Sequence, residues 1–376
     1  MNKQQSSDVI IIGGGVIGCS IAYHLRKAGV EVLVIEKQEV AAEASSAAAG
    51  LLAPFGSLAG PGPFTDLVLA SWSLAPKLMP ALEEESGIQV EYRRVGSLHV
   101  VSDTNESVAL RQQMTAWEAL GAEVAWLIGD EAREREPLLG IGVKAAVSVQ
   151  KEGSIKAPAV ARAYAEAARR LGARFLLSTE VTGIVQDGSR AVSVRTAQGE
   201  MIGCQHLVIA GGAWSARCGE WFGLSVPVSP MRGQILALRQ PQTPLRYIIF
   251  DEDIYFVPKL DGTIYVGATV EQAGFDKSLT AGGIAWLLSC ALRLAPALEH
   301  ASIAQMWAGL RPWSSDRRPV LGKVPGWENV ILATGHSGMG FELSAITGKT
   351  ITELITTGQT PELIRTFGIE RFIEKA

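Results

Sequence analysis

Apolar positions along the chain change their period several times, and the changes mark its elements. Val9–Ile12 is a short β-branched run of the kind that forms a strand buried on both faces. Ile17, Ile21, Ala22 and Leu25 then recur at helical spacing, and Gly29 stands where a glycine closes a helix. Val32–Ile35 is a second buried run, ending at Glu36. Between Phe64 and Gln113 the pattern predicts two helices and a strand around Gly96–Val101. It then predicts a helix over Ala157–Leu171 and strands over Phe175–Leu177, Thr182–Asp187 and Ala191–Thr196, the last two a hairpin across Gly188-Ser189. His206–Ala210 is another buried strand, running into the glycine pair Gly211-Gly212.

The middle of the chain reads differently. Gln234–Leu238, Tyr247–Phe250, Ile254–Val257 and Thr263–Val266 alternate or are β-branched, with turn residues between them, and predict an antiparallel sheet. A strand is predicted over Ser302–Leu310, with Pro312 stopping further pairing, and another over Val330–Ala333. A second glycine-rich helix start, Gly335–Lys349, follows it, with Leu343, Ile346, Ile351 and Leu354 at core spacing. Nucleotide-type segments at both ends thus enclose β-rich material. The expectation is an α/β fold: a Rossmann-like nucleotide-binding domain from residues 1–85, 145–225 and 305–376, with an inserted α+β antiparallel-sheet domain from 86–144 and 226–304 for substrate.

Composition narrows the class. The chain has 376 residues, 47% of them apolar, enough for a large core and against disorder. Its 40 glycines exceed the usual ~7%, as many tight turns and close backbone approaches require. Net charge is −4 with no basic run, which argues against nucleic acid as a partner. Cys19, Cys204, Cys218 and Cys290 form no CxxC pair and have no His at metal spacing. They read as small buried residues of a reduced, cytoplasmic protein, with no metal site. Val9–Ile12 is too short for a signal segment, and no run approaches ~18 apolar residues, so no membrane partner is expected.

The chemistry begins at Gly13, Gly15 and Gly18, which fill G-x-G-x-x-G between a strand and a helix. The glycines let backbone approach a pyrophosphate, and the helix N-terminus offers unpaired N–H groups and a positive dipole end. Glu36 suits both hydroxyls of an adenosine ribose and repels a 2′-phosphate. Residues alone leave FAD and NAD open: the small-residue segment Glu43–Pro54 fits an extended cofactor or close helix packing. Arg311, a charge inside the apolar stretch Trp307–Asp316, fits a bound anion or an internal partner such as a carbonyl or an acid.

Taken together, VIIIGGGVIG with Glu36, SSAAAGLL, VIAGGAWS, IYFVP with VGATV, WAGLRPWSSDRRPVLG and ATGHSGMG resemble the D-amino-acid-oxidase-like family of FAD amine oxidases. Within it they resemble the glycine-oxidising branch that serves thiamine thiazole synthesis. The resemblance covers nearly the whole chain and makes the first domain FAD-binding. It implies that Gly13, Gly15 and Gly18 serve the pyrophosphate and Glu36 the ribose. Ser45, Ser46 and Gly50 would lie along the diphosphate, ribityl and flavin. Val181 would pair its backbone with the adenine, and Gly211 and Gly212 would border the chain. Ser337, Gly338, Met339 and Gly340 would present N–H groups near flavin N1/C2=O, where reduced flavin carries negative charge. Val16, Ile17, Lys37, Ala49, Leu51, Trp214 and His336 are further implied cofactor contacts, His336 being either catalytic or a structural loop histidine.

For the substrate, the family implies a bidentate pair between Arg311 and a carboxylate, with the Tyr255 hydroxyl on the same group; Arg311 also counts among the cofactor contacts. The alternative for Tyr255 is a half-buried sheet tyrosine. Asp253 stands where glycine oxidisers can have a histidine, and meets a substrate ammonium, a neighbouring residue or solvent. Val270 lines the pocket or is a core valine, and Gly338-Met339 replaces an arginine of other members. Members that tether flavin do so through a cysteine near this point, and PWSSD at 312–316 has none, so the FAD is expected to be non-covalent. The implied reaction is hydride transfer from substrate Cα to flavin N5, imine hydrolysis to a keto acid and ammonia, and reoxidation by oxygen to hydrogen peroxide. A dehydrogenase of D-amino acids or proline with a quinone or carrier acceptor, and a non-catalytic flavin-binding subunit, are the rival readings. The family also suggests a homo-tetramer.

Overall fold

In the computed structural model, which describes residues 6–239 and 243–373, the strands gather into two large sheets. The first is ordered Val320–Lys323, Val330–Thr334, Met201–Ile209, Ser6–Ile12, Val32–Ile35, Arg174–Leu176. Its inner pairs are parallel, and the antiparallel hairpin Val181–Asp187/Arg190–Thr196 is attached to Met201–Ile209. The β-branched runs at its centre are buried, as a parallel sheet covered on both faces requires. Helices Val16–Lys27, Ala157–Arg170 and Gly340–Thr357 pack together over one face around Ile21, Tyr164 and Ile351. The two ends of the chain therefore build one nucleotide-type unit, and the expected α/β class with its separate β-rich sheet is borne out.

The second sheet runs Ser302–Ser314, Val228–Arg239, Thr263–Gly267, Tyr255–Pro258, Ile248–Phe250, Ser97–Val101, Ala145–Val149, Val124–Ile128. Helix Ala281–Leu294 buries Leu287, Cys290 and Ala291 against it. The antiparallel expectation needs one correction, since Ile248–Phe250 pairs with Ser97–Val101 in parallel. Two segments assigned by sequence to the nucleotide domain, Ala145–Val149 and residues 305–314, also belong to this second sheet. Their apolar runs look alike in either setting, and only the pairing partner tells them apart.

Pro312 does not end the strand Ser302–Ser314. Pairing continues through Met231↔Arg311, Pro230↔Pro312 and Val228↔Ser314. The strand lies at the sheet edge, where a missing N–H is tolerated, and a proline faces a proline across the ladder. Arg311 is therefore held within a regular strand. The segment after Gly50 bridges the two sheets. Leu51–Leu52 pairs with Gly153–Ser154, and Ala49 and Ala53 pack against Ile235, Val257 and Ala268. Among the described residues no helix is long and apolar enough to cross a membrane.

Candidate active site

A long cleft opens between the sheets. Its larger end, about 570 Å³, is lined by Gly13, Glu36, Lys37, Val181, Gly211, Gly212, Trp214 and Arg217. Its smaller end, about 240 Å³, is lined by Val16, Ile17, Ala49, Gly50, Leu51, Tyr255, Arg311, His336, Ser337, Gly338, Gly340 and Glu342. Gly15, Ala44, Ser45, Ala210 and Gly212 line both, so the two ends are continuous.

The larger end is a dinucleotide cradle. Gly13 has φ +111°, and a Cβ there would overlap the Ala210 carbonyl, so only glycine fits between the two central strands. The helix Val16–Lys27 begins without an acidic residue in its first turn. One of its free N–H groups, Val16 N, donates to Ser45 Oγ at 2.9 Å, and an anion is welcome beside the rest. Glu36 accepts from Gly14 N–H at 2.6 Å and from Gln38 N–H at 2.9 Å, which fixes its carboxylate at the cleft wall. Lys37 lies 3.4 Å over the Trp214 ring, and burial lowers its ammonium. An elongated cleft with a glycine turn, a helix N-terminus and a fixed acid fits the FAD that the resemblance implies.

The smaller end carries the polar pair. Arg311 donates to the Thr269 carbonyl at 3.0 Å. Its guanidinium lies over Gly233, where any Cβ would overlap it. Tyr255 pairs with Gly267 and leans across it in the same way. Burial raises the Tyr255 phenol and Arg311 beside it opposes the rise, so the hydroxyl stays a neutral donor at physiological pH. A guanidinium and a phenol at one end of a mostly apolar cavity offer the donors that a carboxylate would need.

Several predicted residues are elsewhere. Gly18 lies outside the cleft, packed so closely on the Gly13 carbonyl that it serves helix–strand contact rather than a ligand. Ser46 is exposed and bonds the Glu43 carbonyl at 2.9 Å. Asp253 pairs with Arg293 at 2.8 Å, a neighbouring residue rather than an ammonium site. Val270 is 60% exposed and neither lines the cleft nor joins the core, because its strand has already ended at Gly267. Met339 precedes the last helix and packs on its core. Cys204 is only half-buried, unlike Cys19, Cys218 and Cys290. Among the described residues no cluster of metal-ligating side chains occurs.

His336 is structural in its geometry. It is buried, its Nε2 meets Thr347 Oγ1 at 3.1 Å, and burial pushes the imidazole down to about 3, so it is neutral. Ser337 N–H donates to the Pro312 carbonyl at 2.9 Å, and His336 bridges to Trp313, which ties the glycine-rich loop to the Arg311 strand.

Three features escaped the sequence reading. Arg232 is buried and reaches Glu271 at 2.5 Å and Asp276 at 3.0 Å. Glu271 also takes hydrogen bonds from Gln234 and Thr269, the residue whose carbonyl holds Arg311. Lys259 is half-buried and donates to Ala49 O at 2.5 Å and Ile155 O at 3.1 Å, supporting the Gly50 turn from behind. Glu342 lines the small end itself. A charge beside VP or GF was the only available signal for the last two.

Known proteins resemble this chain over nearly its whole length. A family model described as FAD dependent oxidoreductase matches residues 8–354. The chain is 35% identical over 370 residues to a glycine oxidase of Geobacillus kaustophilus, covering 98% of both chains. The crystal structure of glycine oxidase from that organism superposes with a TM-score of 0.93 at 35% identity, over 97% of this chain and 98% of the other. A bifunctional ThiO/ThiG protein of Trichormus variabilis is 35% identical over 98% of this chain, which spans 56% of that longer protein.

Proposed function

The chain belongs to the FAD dependent oxidoreductase family, and from that premise we propose that it oxidatively deaminates glycine and other small amino acids or amines, such as sarcosine or D-alanine. The products are the keto acid (glyoxylate from glycine), ammonia (methylamine in the case of sarcosine) and hydrogen peroxide. Bound FAD supplies the hydride acceptor for substrate Cα and passes the electrons on to dioxygen.

The observation that carries this reading is the pairing of Arg311 and Tyr255 at the small end of the cleft. Arg311 has one nitrogen committed to Thr269 O, and its remaining donors suit a carboxylate. The small end has a volume of about 240 Å³, which favours a small substrate. The Tyr255 phenol is a neutral donor to the same group, and neutral His336 adds no charge beside Arg311. These residues bind and orient; the amine reacts in its neutral form and water hydrolyses the imine. Glu36 and the Gly13–Gly15 turn would hold the adenosine and pyrophosphate, and Ala49–Leu51 with Ser337, Gly338 and Gly340 the flavin end. The FAD is non-covalent in this reading: among the described residues no cysteine lines the small end, so acid precipitation releases the flavin. The likeness to a ThiO/ThiG protein supports a thiamine-synthesis role; the cytoplasmic location and homo-oligomer in this reading rest on the family resemblance alone.

The test is anaerobic mixing of the flavoprotein with glycine, sarcosine and D-alanine. Bleaching of the flavin by at least one is expected, and peroxide on admitting air separates an oxidase from a dehydrogenase. A flavin left oxidised by all three sinks the reading.

A further inference from the structure

Glu342 is the third residue of helix Gly340–Thr357 and lines the small end of the cleft with Arg311 and Tyr255. Its Oε1 accepts from the Ala53 N–H at 3.2 Å, the one hydrogen bond to protein that it makes among the described residues. A carboxyl group has capacity for several more. The neighbouring walls are apolar: Leu51 and Phe341 within the cleft, and Leu52, Trp72 and Met79 around the small void on its other side. Burial raises the carboxyl to about 8, and the buried Glu152, which accepts from Phe55 N–H at 2.9 Å, adds to the rise. A polar group with unused bonding capacity in such surroundings is costly unless something else fills that capacity. An apolar residue would pack this corner better if Ala53 were all that it served.

We propose that Glu342 is a specificity-determining residue that recognises a hydrogen-bonding group on the substrate while Arg311 holds its carboxylate. The class selected is small carboxylates with a hydroxyl, amide or amine, against those with an alkyl group in the same place. The inference rests on the carboxylate-clamp reading given above and deepens it. A site built to bond such a group rejects the isostere lacking it, because its own polar group is then left unpaired.

The test uses the FAD-loaded enzyme and ligands that it does not oxidise. Flavin absorbance changes report Kd for isosteric pairs of rising length: glycolate against propionate, 3-hydroxypropionate against butyrate, 4-hydroxybutyrate against valerate. In the wild type at least one hydroxy acid binds about tenfold more tightly than its alkyl partner. Glu342→Leu abolishes that preference, and Glu342→Gln, whose amide still accepts, keeps part of it. A merely structural Glu342 would change FAD content or stability and leave the ratio alone. Absence of any preference in the wild type overturns the inference even if the Leu variant does not fold, and so does a preference that survives in Glu342→Leu. An altered ligand-free flavin spectrum in Glu342→Gln with an unchanged ratio also overturns it, by assigning the group to the cofactor. If no carboxylate perturbs the flavin at all, the clamp falls and the inference falls with it. Failure of amino acids to reduce the flavin, with the acids still bound, rejects only the oxidase reading.

Discussion

The guanidinium of Arg311 lies directly over Gly233 on the neighbouring strand, in space that any side chain at 233 would take. The arginine is thus aimed by the absence of an atom. Gly233→Ala forces either the guanidinium or the strand to move. Displacing a positioned charge by even an ångström weakens a bidentate contact. Kd for glycine or acetate is expected to rise about tenfold, measured on protein fully loaded with FAD, because Gly233 lines the small end of the cleft. Unaltered carboxylate affinity in a folded Gly233→Ala protein counts against the clamp.

Removing the charge tests the clamp more severely. Arg311→Ala leaves a substrate carboxylate in a mostly apolar cavity with Tyr255 alone, at a cost of about 3 kcal/mol, or ~10²-fold in KM. Arg311→Lys keeps the charge but loses the fork, and falls between the two. Steady-state kinetics on glycine checks this, with the flavin spectrum as control. An unchanged KM in Arg311→Ala defeats the assignment.

Thr269 links Arg311 to a buried polar network, since its carbonyl takes the arginine and its hydroxyl donates to Glu271. Glu271 is also the partner of buried Arg232. Glu271→Ala strands a buried guanidinium beside Asp276, a change of ~3 kcal/mol in stability. It also frees the Thr269 segment, so KM rises while the flavin spectrum holds. Thermal unfolding and kinetics on the same variant read the two effects separately. Wild-type stability and KM together would detach the network from the clamp.

Parts of this site are visible in the sequence and parts are not, for a physical reason. Gly13, Gly15 and Glu36 sit within one strand–turn–helix–strand unit, so local spacing reports them. Arg311 is visible because a charge interrupts an apolar strand. Its position within that strand is not legible, because Pro312 stops pairing only where its N–H is needed, and an edge facing Pro230 does not need it. For Asp253, Val270 and Ser46 the direction of the side chain depends on a partner or turn that spacing does not encode. The Arg232–Glu271 pair spans 39 residues, and the Glu342–Ala53 contact spans 289, so neither leaves a local signature.

The last expectation concerns Lys259, whose ammonium supports the turn at Ala49–Gly50. Burial pulls it down to about 7 from the ordinary lysine value, with Glu91 and Asp261 offsetting part of the effect. Between pH 7 and about 10.5 the unfolded chain therefore holds a proton that the folded protein has released. Stability from this group rises with pH across that window, and the penalty for charging it is complete below pH 7. Lys259→Met removes the titration along with two hydrogen bonds to carbonyls. The lost bonds lower stability at every pH and set only an offset. The slope belongs to the lysine: Tm of the variant minus Tm of the wild type should decrease steadily as pH rises from 7 to 10. A difference that is flat over that range would mean that Lys259 stays charged in the folded protein, with its two carbonyls sufficient to hold the proton.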